Sequence, residues 1–274
     1  MLALFYGVPV LDMVRLAFSD ATLVRPPEDY SFKAMGVLLR DPALPQVIGT
    51  TLLFTAINVV ALQVVGLAIA LTIVRGEARG LRGMTAFRTL VLAAWVVPGI
   101  ANGLIWQMLF DEAPYGTLNS LLAYGGLGPV AWLSDPQMAL VSAVIANLWQ
   151  GTAFSMIVFY AARRGIDPVL YDVAALDGAG PWRIFRSITL PLLRTAIAVN
   201  TVLVTVQTLN TFDSILALTG GGPGRATEVL ALFTFNTVFQ NLDLAGGSVL
   251  ALLLFAISMA LAALVHGWRG RGAA

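Results

Sequence analysis

The chain has 274 residues, of which 58% are hydrophobic and only 11% charged, and its net charge is +1. Soluble domains are near half apolar and a quarter charged, so this balance calls for lipid as solvent. The absence of cysteine excludes disulfides, thiolate metal sites and thiol nucleophiles, and the single His266 excludes a histidine cluster. No basic run of the kind that binds a polyanion occurs, so no nucleic-acid partner is expected.

Taken in chain order, the apolar runs predict an all-α membrane protein of about six transmembrane helices, forming one transmembrane domain over 1–274. The spans are approximately 1–18, 47–74, 89–110, 136–162, 195–219 and 244–266. Each of the last five reaches, or with its flanks approaches, the ~20 residues that a helix needs to cross ~30 Å of hydrocarbon. In lipid the backbone must satisfy its own hydrogen bonds, so these runs are read as helices. The first is short: after an apolar start, Asp12 and Arg15 intrude. It is either an incomplete span or one that crosses with its charged end outside the core. The apolar N-terminus lacks a basic flank and a small-residue cleavage site, so no cleavable signal is expected.

Orientation follows from the basic residues between spans. Arg75, Arg79, Arg82 and Arg88 lie in one loop, Arg163, Arg164, Arg183, Arg186 and Arg194 in the next on that side, and Arg269 and Arg271 in the tail. The opposite loops hold only Arg25, Lys33, Arg40 and Arg225. The arginine-rich side is therefore expected to be cytoplasmic, with both termini inside.

The longest inner loop, 163–194, carries its own structure. Asp167-Pro168 reads as an N-cap followed by proline at the first helical position. Ile166, Leu170 and Val173 then recur at i, i+4 and i+7, one apolar stripe of a short helix. Asp177-Gly178 stops that helix, and Gly180-Pro181 opens another toward the next span. On the other side, Thr219-Gly220-Gly221-Gly222-Pro223-Gly224-Arg225 forbids regular helix, and a helical pattern with Phe233, Phe235 and Phe239 follows it.

The segment Asp172-Val173-Ala174-Ala175-Leu176-Asp177-Gly178 resembles the E-A-A-x-x-x-G loop of ABC importer permeases. Asp172 stands where that family has Glu and Val173 where it has its first Ala, while Ala174 and Gly178 match. The continuation Phe185-Arg186-Ser187-Ile188-Thr189-Leu190-Pro191-Leu192-Leu193 is similar to the family's F-x-x-I-x-L-P-L-L run. Leu218-Thr219-Gly220-Gly221-Gly222-Pro223, with Thr227 after it, resembles an element of the maltose and glycerol-3-phosphate type of sugar permease, as do Ser19-Asp20 and Trp149-Gln150-Gly151. The likeness covers nearly the whole chain and starts about midway through the family's first helix. It implies a cytoplasmic coupling helix that docks into an ATPase subunit through Leu170, Asp172, Ala174, Ala175, Asp177, Gly178 and Ala179. The chemistry suits this: the stripe fills a groove, the alanines permit close approach, and the two aspartates pair with basic groups at its rim. On the residues alone, an ordinary amphipathic helix at the membrane surface fits equally well.

Polar residues inside the spans are the second signal. Asn200, Gln207, Thr211 and Ser214 fall on one helical stripe bordered by Asn210; Asn147 and Gln150 are i, i+3; Asn102 and Trp106 are i, i+4; Thr51, Thr55 and Asn58 form another stripe. Amides and hydroxyls exchange hydrogen bonds with a polyol, and Trp stacks on the apolar face of a sugar ring. Asn102, Trp106, Asn147, Gln150, Asn200, Gln207 and Asn210 are therefore candidates for a substrate pathway. Interhelical bonding explains any one of them as well.

The sequence expectation is thus the permease subunit of an ATP-driven, binding-protein-dependent importer for a sugar or sugar-like solute, in a bacterial or archaeal cytoplasmic membrane. No phosphate-binding G-x-x-x-x-G-K-[ST] loop occurs, so this chain is expected to bind no cofactor and to catalyse no reaction. ATP and Mg belong to partner subunits. The expected partners are a second, homologous permease, two cytoplasmic ATPases, a soluble substrate-binding protein and membrane lipid. The alternative is a self-sufficient secondary transporter, which calls for a coupling-ion site and broken helices.

Overall fold

Residues 2–113 and 115–271 are described by a computed structural model. In chain order the helices are α1 (Leu2–Ala17), α2 (Lys33–Leu39), α3 (Ala43–Ala78), α4 (Met84–Val96), α5 (Gly99–Leu109), α6 (Thr117–Tyr124), α7 (Pro136–Arg164), α8 (Val169–Leu176) and α9 (Pro181–Ile184). A π turn at Phe185–Thr189 joins α9 to α10 (Leu190–Leu209). Then come α11 (Asp213–Leu218), α12 (Leu230–Phe235), a second π turn at Asn236–Gln240, and α13 (Leu244–Arg271). No strand occurs among the described residues beyond the isolated bridges Ser19–Tyr30 and Thr22–Arg25.

Four helical stretches are long and apolar enough to cross a bilayer: Ala43–Ala78, Pro136–Arg164, Pro181–Leu209 and Leu244–Leu264. The pair α4 and α5, broken at 97–98, makes a fifth when taken as one span. With α1, of 16 residues, the chain is an all-helical, multi-pass membrane protein of about six such elements.

Two runs that the sequence presents as continuous are broken. Residues 89–110 split at Val97-Pro98, because Pro98 has no N–H to donate to Ala94 and pushes Val97 into an extended conformation, ψ 125°. Residues 195–219 split at 210–212, where Phe212 has left the helical region, φ −137°. That break takes Thr211 and Ser214 off the helical stripe of Asn200 and Gln207.

The chain divides into two compact units. The first comprises 1–56, 99–144 and 207–260. Its core joins Ala17, Leu38, Leu44, Val47, Leu230, Phe233, Val249 and Leu250. The loop after α1 is pinned beside the start of α13 by Leu23 N–H to the Leu242 carbonyl and Ala245 N–H to the Ala21 carbonyl. Asp20 accepts the N–H groups of Glu28 and Asp29 at 2.9 and 3.1 Å. The backbone N–H of Asp29, and after it that of Glu28, hold the Asp20 carboxyl below its ordinary range, outweighing the opposing desolvation.

In the same unit α5 and α11 pack backbone to backbone. A Cβ on Gly103 would lie 2.4 Å from the Ser214 carbonyl oxygen, and one on Gly99 1.9 Å from the Asp213 carboxylate. This G-x-x-x-G spacing is a small-residue face of the kind that lets membrane helices approach closely. The glycine loop beyond α11 is tied by the Thr219 and Thr227 hydroxyls, 2.7 Å apart, and by Thr227 donating to the Gly222 carbonyl. Gly220, Gly221 and Gly224 have positive φ there, as the turn requires.

The second unit comprises 57–98, 145–206 and 261–274. Its core is Ala70, Ile73, Met156 and Phe159. Gly66 brings α3 against α7, where an added Cβ would stand 2.5 Å from that of Ser155. Toward the end of α3, Glu77 accepts the Tyr160 hydroxyl at 2.9 Å and pairs with Arg88 and Arg164, each at 3.7 Å.

Candidate functional site

The loop between α7 and α10 folds as its sequence dictates. The Asp167 carboxylate accepts the N–H of Val169 at 2.9 Å, satisfying a first-turn donor of α8. At the other end Gly178 adopts φ +75°. Ala179 N–H donates to the Ala174 carbonyl at 2.9 Å and Gly178 N–H to the Ala175 carbonyl at 3.0 Å, a Schellman stop. α8 is therefore an eight-residue helix closed at both ends.

No residue of α8 is buried. Val169, Leu170, Val173 and Leu176 are 58%, 46%, 51% and 87% exposed. Asp172, Ala175 and Asp177 are exposed beside them, as is Gly178, whereas Ala174 and Ala179 are half-buried. The structure thus gathers most of the sequence-selected coupling residues on one open apolar surface rimmed by two carboxylates.

Tyr171 was not among them. It is half-buried, under the Arg163 guanidinium at 3.8 Å from the ring centre, with its hydroxyl 3.3 Å from the Thr189 hydroxyl. Its place on the helix, three residues before Ala174 and off the Leu170–Val173 stripe, is the signal that marks it as inward-facing.

The polar residues of the spans sort into two groups. The first is buried and hydrogen-bonded between helices. Asn102 donates to Ser214 at 3.0 Å, and Asn147 to Asn58 at 2.8 Å. Asn200 donates to Gln63 at 2.8 Å and to Ser155 at 3.0 Å. Gln63 in turn reaches the Ile197 carbonyl and the Thr201 hydroxyl. Gln63 was missed in the sequence because Val59, Val60, Gly66 and Leu67 surround it at helical spacing, and Ser155 because Thr152 is its one polar neighbour there. Gln150, half-buried, donates to the Val97 carbonyl at 2.6 Å, beside the Pro98 break. Trp106 is half-buried and packs on Phe110, with ring centres 5.2 Å apart. The second group, Gln207 and Asn210, is exposed around the C-terminal end of α10.

A cavity of about 490 Å³ in the first unit is lined by Gln107, Met108, Phe110, Asp111, Glu112, Leu133 and Ser134. Glu112 accepts Leu133 N–H, Ser134 N–H and the Ser134 hydroxyl at 2.7, 2.8 and 2.7 Å. Burial pushes its carboxyl up, but these three donors outweigh burial and hold it below the ordinary value.

A family model described as "Binding-protein-dependent transport system inner membrane component" matches residues 64–270. The chain is 36% identical over 208 residues to the trehalose/maltose transport system permease protein MalF of Thermococcus litoralis, covering 76% of this chain and 68% of that protein. It is 32% identical over 265 residues to the sulfoquinovosyl glycerol transport system permease protein SmoG of Agrobacterium fabrum, covering 96% and 84%. A chain from the crystal structure of a bacterial ABC transporter involved in the import of the acidic polysaccharide alginate shares the fold, with TM-score 0.84 over 98% of this chain and 91% of that one at 20% identity.

Proposed function

This chain belongs to the family of binding-protein-dependent transport system inner membrane components, and on that premise we propose that it is one of two permease subunits of an ATP-driven importer for a sugar or sugar-like solute. The observation that carries the mechanism is α8: a short helix, capped at Asp167 and stopped at Gly178, that leaves Val169, Leu170, Val173 and Leu176 open. An apolar patch of this kind beside arginine-rich segments fits a groove on a cytoplasmic protein. The occupant is an ATPase subunit, which holds ATP and Mg and works on this chain from inside.

The arginine-rich loops face the cytoplasm, by the excess of basic residues over the opposite loops. The setting is a bacterial or archaeal cytoplasmic membrane. One chain supplies half the pathway, a homologous permease supplies the other, two ATPases drive them, and a soluble binding protein delivers the solute. Exposed Gln207 and Asn210 are the pathway contacts that this chain offers a polyol, while Asn102, Asn147 and Asn200 spend their amides between helices. The relatives named for trehalose, maltose and sulfoquinovosyl glycerol favour a glycoside.

Deletion of 172–178 tests the reading. Transport and ATPase association are lost while membrane insertion persists; undiminished ATPase co-purification sinks the coupling assignment. The same deletion separates the secondary-transporter alternative, which draws its support from the broken pair α4 and α5: a self-sufficient carrier has no ATPase to lose. The solute is identified by thermal-shift screening of sugars against the cognate binding protein.

A further inference from the structure

Of the eight residues of α8, only Tyr171 and Ala174 are half-buried; the rest are exposed. Tyr171 alone carries a long side chain inward. Its ring lies under Arg163, in the last turn of α7, and its hydroxyl meets Thr189, the buried end of the π turn that leads into α10. One side chain of the loop helix therefore touches the ends of both membrane-spanning helices that the loop connects.

The rest of the attachment is soft. The segments flanking α8 contain Gly165, Gly178 and Gly180, and around Gly178 and Gly180 an added Cβ would meet nothing within 4 Å. A displacement applied to the outer face of α8 is absorbed by such flanks unless a stiff side contact carries it. The π turn at Phe185–Thr189 is the other half of the device. Its i→i+5 bonding is rare and is found frequently at functional sites. A helix entered through it responds to a push on Thr189 more readily than a regular helix would.

We propose that Tyr171 is a positioning residue that transmits movement of α8 to α7 and α10, through Arg163 and Thr189 respectively. The inference rests on the docking reading above, and assigns to one face of α8 the grip on the ATPase and to the other the grip on the membrane helices.

The test uses the full complex, this chain purified with the homologous permease and the ATPase subunits in lipid nanodiscs. Because this chain has no cysteine, N210C is its one thiol, and labelling is read on this chain after separation from the other subunits. Its rate of reaction with a maleimide is measured with and without MgATP and vanadate. In Y171L the ATPase co-purifies as in the parent, but the nucleotide-induced change in labelling rate falls about fivefold or more, the loss expected for removing the hydrogen bond and the cation contact together. Y171F keeps the ring under Arg163 and retains an intermediate response. R163Q lowers the response without altering α8, and Y171L with R163Q is no worse than Y171L alone. A Y171L complex that binds the ATPase and responds like the parent overturns the proposal. So does loss of the ATPase from Y171L, which would make Tyr171 part of the docking face. The docking reading is tested separately by L170D with V173D: loss of the ATPase supports it, and retention overturns it whatever Tyr171 does.

Discussion

The side-chain amide of Gln150 donates to the backbone carbonyl of Val97 at 2.6 Å, one residue before Pro98. Proline ends α4 by removing a donor, and the carbonyl left at the break is satisfied by a side chain from α7. Irregular backbone at membrane depth persists only where such a partner is supplied. Gln150→Leu keeps the volume and removes the donor, so it should destabilise the protein by about 1 kcal/mol, the net worth of a half-buried hydrogen bond. The thermal unfolding midpoint in detergent reads this directly, and an unchanged midpoint contradicts it.

Gly99 and Gly103 both face α11, but they should not be equally sensitive. At Gly103 an added methyl meets the Ser214 carbonyl and the Leu218 N–H, which are backbone. At Gly99 it meets the carboxylate of Asp213, the end of a side chain that can turn aside. Gly103→Ala should therefore cost about 1–3 kcal/mol by overpacking, and Gly99→Ala less. Comparing the two melting midpoints checks the order; equal effects refute the backbone contact as the cause.

The Glu112 carboxylate gives a pH dependence of known sign. Its folded pKa is lowered below the ordinary 4.5. Such a group adds stability that is fully present above the unfolded value and is lost as pH falls through the lowered folded one. Hydrogen exchange at the Leu133 and Ser134 amides should accelerate, beyond its intrinsic pH trend, on acidification below about pH 4.5. In Glu112→Gln that step should vanish. A step that survives the substitution rules Glu112 out as its source.

Buried and exposed amides should separate in transport assays. Asn147→Ala and Asn200→Ala break interhelical bonds worth ~0.6 kcal/mol on average, so they lower thermal stability. Gln207→Ala and Asn210→Ala should instead raise the KM of transport while ATPase co-purification stays as it was, and Gln207→Ala should also leave the melting midpoint in place. Transport kinetics unchanged in both would remove these two residues from the pathway.

Much of this was legible in the sequence because the physics was local. Asp167-Pro168 and Asp177-Gly178 specify the two ends of α8 without reference to the rest of the chain, and the structure follows them. Hydrophobic length located the long helices for the same reason. The breaks were less visible: 89–110 carries no warning beyond Pro98, and the break depends on what satisfies Val97 across space. Which amides are spent between helices was also hidden, since Asn200 reads like Gln207 until Gln63 and Ser155 are brought against it. Tyr171 escaped because stripe reading looks for the apolar face that meets a partner, and its role lies on the opposite side.

The central claim is that the open face of α8 contacts an ATPase subunit. A benzophenone maleimide on L176C, at the most exposed apolar position of α8, tests it in the assembled complex without competing thiols in this chain. On irradiation the adduct should be with the cytoplasmic ATPase subunit. Adducts with lipid alone, from a complex in which the ATPase is present, would contradict the account.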